Sequence, residues 1–152
     1  FYGVALTSKR SEWGNLGLGL GIGVLMHILL DLLIWFNGVE ILWPLPSWVN
    51  LWTNVTPPEW WSKLMMPTEN LFFALFFLFL ASNARKRNTD SDYLSKLRIW
   101  TWVQGILFLV FLVMVYTMQS GFMTIFGAIY LLSLGLAFGV TIRMRKTVEA
   151  MA

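Results

Sequence analysis

His27 and Asp31 lie four residues apart in a mostly apolar stretch, Asn15 to Phe36, that holds no other charged side chain. Ionisable groups are costly in hydrocarbon and are rare there without a partner or a task. On a helix the i,i+4 spacing stacks both side chains on one face. His27 is the only histidine in the chain. At a rise of about 1.5 Å per residue, His27 stands roughly 12 Å and Asp31 roughly 6 Å below Trp35, at the outer end of such a helix. Gly19 and Gly23 continue the same stripe and would let a neighbouring backbone come close. The couple is therefore expected to face protein rather than lipid.

Glu69 opens a second apolar run, with Asn70 beside it, and Glu40 follows the first run. One imidazole and two carboxylates (His27, Asp31 and Glu69) form a ligand set for a divalent ion such as zinc or manganese. Such an ion lowers the pKa of a bound water. Glu69 could then be a ligand or the catalytic general base. The same groups could relay protons. Simpler readings stand beside these. His27 and Asp31 can satisfy each other and a nearby carbonyl. Glu69, after Pro67-Thr68, suits the positive end of a helix, and Glu40 suits a solvated loop. His27 could also be an axial ligand to a (bacterio)chlorophyll or haem. The alternating Gly17, Gly19, Gly21 and Gly23 read as packing residues, because no Lys-Ser/Thr follows to make a phosphate loop.

These groups need elements to hold them. The chain has 152 residues, 57% hydrophobic and 12% charged, and a mean hydropathy of +0.65. An average soluble domain carries about 25% charged residues. The composition predicts an all-α integral membrane protein forming a single membrane domain over 1–152. Four transmembrane helices are expected, over about 14–36, 69–83, 97–118 and 122–142. The outer amphipathic segment 39–66 is expected to hold short interfacial helices. Within it Trp48, Leu51, Trp52 and Val55 follow i, i+3, i+4, i+7 with Ser47 as N-cap. Thr56-Pro57-Pro58-Glu59 has the form of a capping box with proline at the first helical position. Asn37-Gly38 should end the first span, and Ser120-Gly121 should turn the chain between the third and fourth. Gln104, Tyr116 and Tyr130 read as interhelical or interfacial hydrogen bonders. Gly135 and Gly139 read as a small-residue contact.

Lys and Arg fix the orientation. With four spans, Lys9, Arg10, Arg85, Lys86, Arg87, Lys96, Arg98, Arg143, Arg145 and Lys146 share one side, and Lys63 alone faces the other. Both termini and the 83–98 loop are thus placed in the cytoplasm. Trp35, Trp43, Trp48, Trp52, Trp60 and Trp61 belt the outer interface, and Trp13, Trp100 and Trp102 the inner one. The net charge of +3 comes from these helix ends, and no aromatic-basic surface for nucleic acid is visible. The absence of cysteine excludes disulfides, thiolate metal sites and cysteine nucleophiles. The start at Phe1 rather than Met points to a processed or incomplete N-terminus.

The segment Gly23-Val-Leu-Met-His27-Ile-Leu-Leu-Asp31, followed by Gly38-Val-Glu-Ile-Leu-Trp-Pro44, resembles the bacterial inner-membrane metal-dependent hydrolase family, the LexA-regulated group. In that family a His-x3-Asp helix precedes a glycine and an apolar stretch ending in proline, and a carboxylate opens the next helix, where Glu69 stands here. The resemblance covers about residues 20–80. It implies an inner-membrane helical fold and a divalent-metal site. The family's upstream His-Arg…Thr-His-Ser motif has no counterpart before Trp13, which leaves the site poor in nitrogen ligands.

These readings describe a polytopic membrane protein, hydrolase-like but with an incomplete site, acting as an accessory subunit of a multi-subunit membrane complex. Its partners would be the lipid bilayer and other membrane subunits, in a bacterial inner or thylakoid-type membrane. An active divalent-metal hydrolase working on a lipid or amphiphile is the alternative. A small proton-coupled carrier is a weaker one, since the two halves show no inverted repeat.

Overall fold

Long runs of Leu, Phe, Ile and Val leave the backbone only one way to satisfy its polar groups locally, and they fold as helices. The computed structural model describes residues 11–34, 38–42, 45–118 and 120–151, and for 11–18 and 20 the backbone alone. The chain divides into two compact units, 1–57 and 58–152.

The first unit contains α1 (Ser11–Ile34), 24 residues long, and a two-stranded antiparallel ribbon, β1 (Val39–Glu40) and β2 (Trp48–Val49). Val39 pairs with Val49, and Glu40 with Trp48. Gly38 makes the ribbon's entry feasible. Its φ is +82°, and a Cβ there would lie 2.8 Å from Trp48 Nε1 and 2.9 Å from Asn50 Cβ. The Trp52 indole N–H donates to the Leu32 carbonyl at 3.2 Å, tying the segment after the ribbon to the end of α1.

The short helix expected over Trp48–Val55 is not formed. Trp48 and Val49 are strand, and 51–54 are turn. Ser47 Oγ accepts from the Leu42 N–H at 2.6 Å instead of capping a helix. Asn50 Oδ1 accepts from the Trp52 N–H at 2.8 Å, a local turn that competes with helical bonding. A two-turn helix between prolines has too few internal bonds to win that competition. Trp35, Phe36, Asn37, Trp43 and Pro44 lie outside the described residues, as do Lys9 and Arg10.

The second unit is built from α2 (Glu59–Arg87), α3 (Leu94–Thr117), α4 (Phe122–Arg143) and a short α5 (Arg145–Met151). The interfacial helix expected before Met66 and the span expected from Glu69 are one continuous α2 of 29 residues. Its N-cap is Pro58, with ψ 142° and no side-chain cap bond. Pro58 drives the preceding Pro57 out of the helical region, so the capping box starting at Thr56 cannot form. Pro67 lies inside α2, fully buried. It cannot donate to the Lys63 carbonyl. One residue on, the Thr68 hydroxyl donates back to the Leu64 carbonyl at 2.7 Å.

At its other end α2 stops at Asn88, whose φ is +53°. The Thr89 N–H donates to the Ala84 carbonyl and the Asn88 N–H to that of Arg85, the bond pair that closes a helix through a left-handed residue. Asn tolerates that conformation better than any side chain but glycine. Gly121 (φ +79°) turns the chain into α4, as Ser120-Gly121 suggests.

The helices α2, α3 and α4 pack through two buried clusters. Phe77, Leu80, Ala84, Leu97, Val140 and Met144 fill the end near the basic loop. Phe111, Phe122 and Phe126 fill the other, with ring centroids 5.2 to 6.2 Å apart. Outward-facing positions are as apolar as the inside: Phe72, Leu78, Phe79, Ile99, Leu109, Val113, Leu131, Leu132 and Phe138 are all exposed. Buried polar groups and exposed Leu and Phe together are the inverse of a soluble bundle.

Candidate functional site

The helical spacing of His27 and Asp31 brings their side chains together. His27 Nε2 lies 3.3 Å from Asp31 Oδ2. The His27 side chain is 78% exposed and that of Asp31 33%. The first unit thus pairs the couple but does not shelter it. Within that unit, a Cβ at Gly19, Gly21 or Gly23 would meet nothing within 4 Å. The stripe expected to pack closely is free of such contact there. The same holds at Gly135 and Gly139 on α4, within the second unit.

Glu69 belongs to the second unit. It is ten residues into α2 rather than at a helix start, so the dipole of the first turn, where Glu59 stands, does not reach it. It is exposed and within electrostatic range of Tyr130 on α4. Glu40 is exposed on β1. Among the described residues no three or more His, Asp and Glu side chains gather in a metal-holding group. His27 and Asp31 alone fall short of the three or four protein donors that zinc sites use.

Two polar arrangements lie inside the second unit. Midway along the bundle, Gln104 Nε2 of α3 donates to Ser133 Oγ of α4 at 3.0 Å, both side chains buried. The reading of Gln104 as an interhelical bonder holds. Its Oε1, and both amide atoms of the fully buried Asn70, have no hydrogen-bond partner among the described residues. Tyr130 stacks on Phe126 and meets Phe73 at a tilt of 51°. The Tyr116 ring receives the Lys63 ammonium at 5.0 Å, and Lys63 also pairs with Glu59.

The second arrangement joins the α2–α3 loop to α5. Asp90 Oδ2 accepts from both the N–H and the hydroxyl of Thr147, each at 2.9 Å, and the Thr89 and Thr147 hydroxyls are 2.8 Å apart. Thr147 is fully buried. Arg143 pairs with Asp92 and covers the Tyr93 ring, and Arg87 donates to the Ala150 carbonyl. The sequence reading gave this loop only a cytoplasmic placement. Asp90 and Thr147 are 57 residues apart, and neither stands in a motif that could have signalled the contact.

Three helices, α2, α4 and the stretch Ser91–Thr117 containing α3, are long and apolar enough to cross a membrane, rather than the four expected. In α1 the described apolar portion is Gly21–Ile34, which is shorter than a span needs. The architecture is that of an all-α protein, bearing one two-residue-per-strand ribbon, with three candidate membrane spans among the described residues. Comparison of the chain with protein-family models, with curated proteins and with solved structures finds no match.

Proposed function

We propose that the chain is a membrane-embedded, non-enzymatic subunit of a larger assembly, with α1 as a fourth span and both termini cytoplasmic. One observation carries this reading. The ionisable couple His27–Asp31 is paired at 3.3 Å, yet His27 remains 78% exposed in its own unit. A charged side chain facing lipid near the helix centre costs about 2.5–3.5 kcal/mol on insertion scales. A helix that retains such a couple beside close-approach glycines is suited to a protein neighbour. A photo-crosslinking residue at Gly23 in intact membranes is expected to give adducts with a second protein, weakened by His27→Ala. Adducts with lipid alone would refute the assignment. A Soret or chlorophyll band lost in the same variant would make His27 an axial ligand to haem or (bacterio)chlorophyll in that assembly.

A second reading is a divalent-metal hydrolase with His27 and Asp31 as ligands. The donor spacing favours it: two atoms each 2.0–2.1 Å from a tetrahedral zinc stand about 3.3 Å apart. Bound zinc or manganese would supply a water of lowered pKa. Stoichiometric metal in the purified protein, lost in Asp31→Ala, is the expected sign. Metal-free protein after purification with added zinc and manganese would count against it.

A further inference from the structure

We propose that a groove between α2 and α3 is a binding site for one anionic phospholipid of the basic-side leaflet. The groove is a cavity of about 930 Å³ within the second unit. Its walls are Ala74, Leu78 and Ala81 from α2 and Trp102 and Gly105 from α3. Arg85, Lys86 and Arg98 line it at the end nearest the α2–α3 loop.

Three features select the occupant. The first is charge. None of the lining residues is acidic, and among the described residues none of the three cations pairs with a carboxylate. Nearby Arg143 and Arg87 are engaged, by Asp92 and the Ala150 carbonyl. Positive-inside topology accounts for basic residues at this level. It does not account for three that line an apolar cleft with no carboxylate partner among the described residues. The second is depth. From Arg85 to Ala74 is eleven residues, about 16 Å along α2. One leaflet of a bilayer supplies about 15 Å of hydrocarbon. A phosphate held by the cations would place its acyl chain along the whole groove. The third is shape. Ala74, Ala81 and Gly105 leave the space that larger side chains would fill, and a Cβ at Gly105 meets nothing within 4 Å. Basic pockets between helices at the cytoplasmic side are suited to anionic headgroups.

Trp102, 65% exposed on the groove wall, reports occupancy. The full chain is reconstituted in phosphatidylcholine vesicles containing a minor fraction of dibrominated phosphatidylglycerol or dibrominated phosphatidylcholine. The Trp102 signal is taken as the difference from Trp102→Phe. The brominated phosphatidylglycerol is expected to quench it preferentially. Arg98→Gln should weaken that preference roughly fivefold, as should Arg85→Gln. Gly105→Leu fills the groove without changing charge and favours the helix, so it should abolish the preference while thermal unfolding is retained. Equal quenching by the two lipids would overturn the site. So would a preference that survives Gly105→Leu, since a diffuse basic surface would then be sufficient. Crosslinks from the groove to another stretch of protein in place of lipid would also overturn it.

Discussion

Asp90 holds Thr147 by two hydrogen bonds to one carboxylate oxygen, each 2.9 Å long. This clamps the loop after α2 onto α5. Asp90 has φ +46°, a conformation few side chains adopt, so the loop is shaped to present this carboxylate. Asp90→Ala would strand the buried Thr147 N–H, the Thr147 hydroxyl keeping the Thr89 hydroxyl as a partner, and a loss of about 1–3 kcal/mol is expected. Asp90→Asn keeps an acceptor and tolerates the backbone, and should recover much of it. Thermal unfolding of the detergent-solubilised protein measures both. An Asn variant no better than Ala would show that the negative charge, not the acceptor or the backbone conformation, sets the effect.

The Gln104–Ser133 bond and the buried Asn70 amide should respond in opposite ways. A double-mutant cycle with Gln104→Leu and Ser133→Ala is expected to give a coupling of roughly 0.6 kcal/mol, the average for bonds between helices in a membrane, and no more than about 1.7. Among the described residues the Asn70 side chain makes no hydrogen bond that its removal would lose. Asn70→Leu exchanges a buried amide for a side chain of similar size, and should be neutral or stabilising. A marked loss of stability in that variant would mean that Asn70 has a polar partner after all.

Residue types alone revealed most of the helical architecture and much less of the site. The third and fourth expected spans match α3 and α4 within a few residues, because uniform apolar runs ended by Arg and Gly-Ser punctuation leave little choice. The second was misjudged at its start. Pro67 looks like a helix opener, but its missing donor is tolerated in the interior where Thr68 bonds back to Leu64. The i,i+4 logic correctly brought His27 to Asp31, since a single helix enforces it. It gave no guide to what surrounds them, which depends on surfaces distant in sequence. The helical reading of Trp48–Val55 failed because a periodicity of four residues is also met by a ribbon and a turn.

Gly38 has the backbone and the crowding of a position restricted to glycine. Gly38→Ala would force a Cβ against Trp48 Nε1 and Asn50 in a left-handed conformation. About 1–3 kcal/mol of local strain is expected, absorbed by opening the 39–50 ribbon. Limited proteolysis should then cleave between Val39 and Trp52 faster than in the parent protein while α2–α4 stay protected. An unchanged cleavage pattern would count against the ribbon.

The absence of cysteine makes the topology directly readable by single-cysteine labelling. Thr53, Ser91, Ser120 and Lys146 are all exposed. With α2, α3 and α4 crossing alternately, Thr53→Cys and Ser120→Cys should react with an impermeant maleimide from outside. Ser91→Cys and Lys146→Cys should react only after the membrane is opened. Ser8→Cys decides the role of α1. If α1 crosses, the cysteine is shielded along with Ser91→Cys, as ten basic residues against one require. If it reacts from outside along with Thr53→Cys, α1 does not cross. His27 and Asp31 then have water available on one side, and the argument for a protein neighbour at that face is lost.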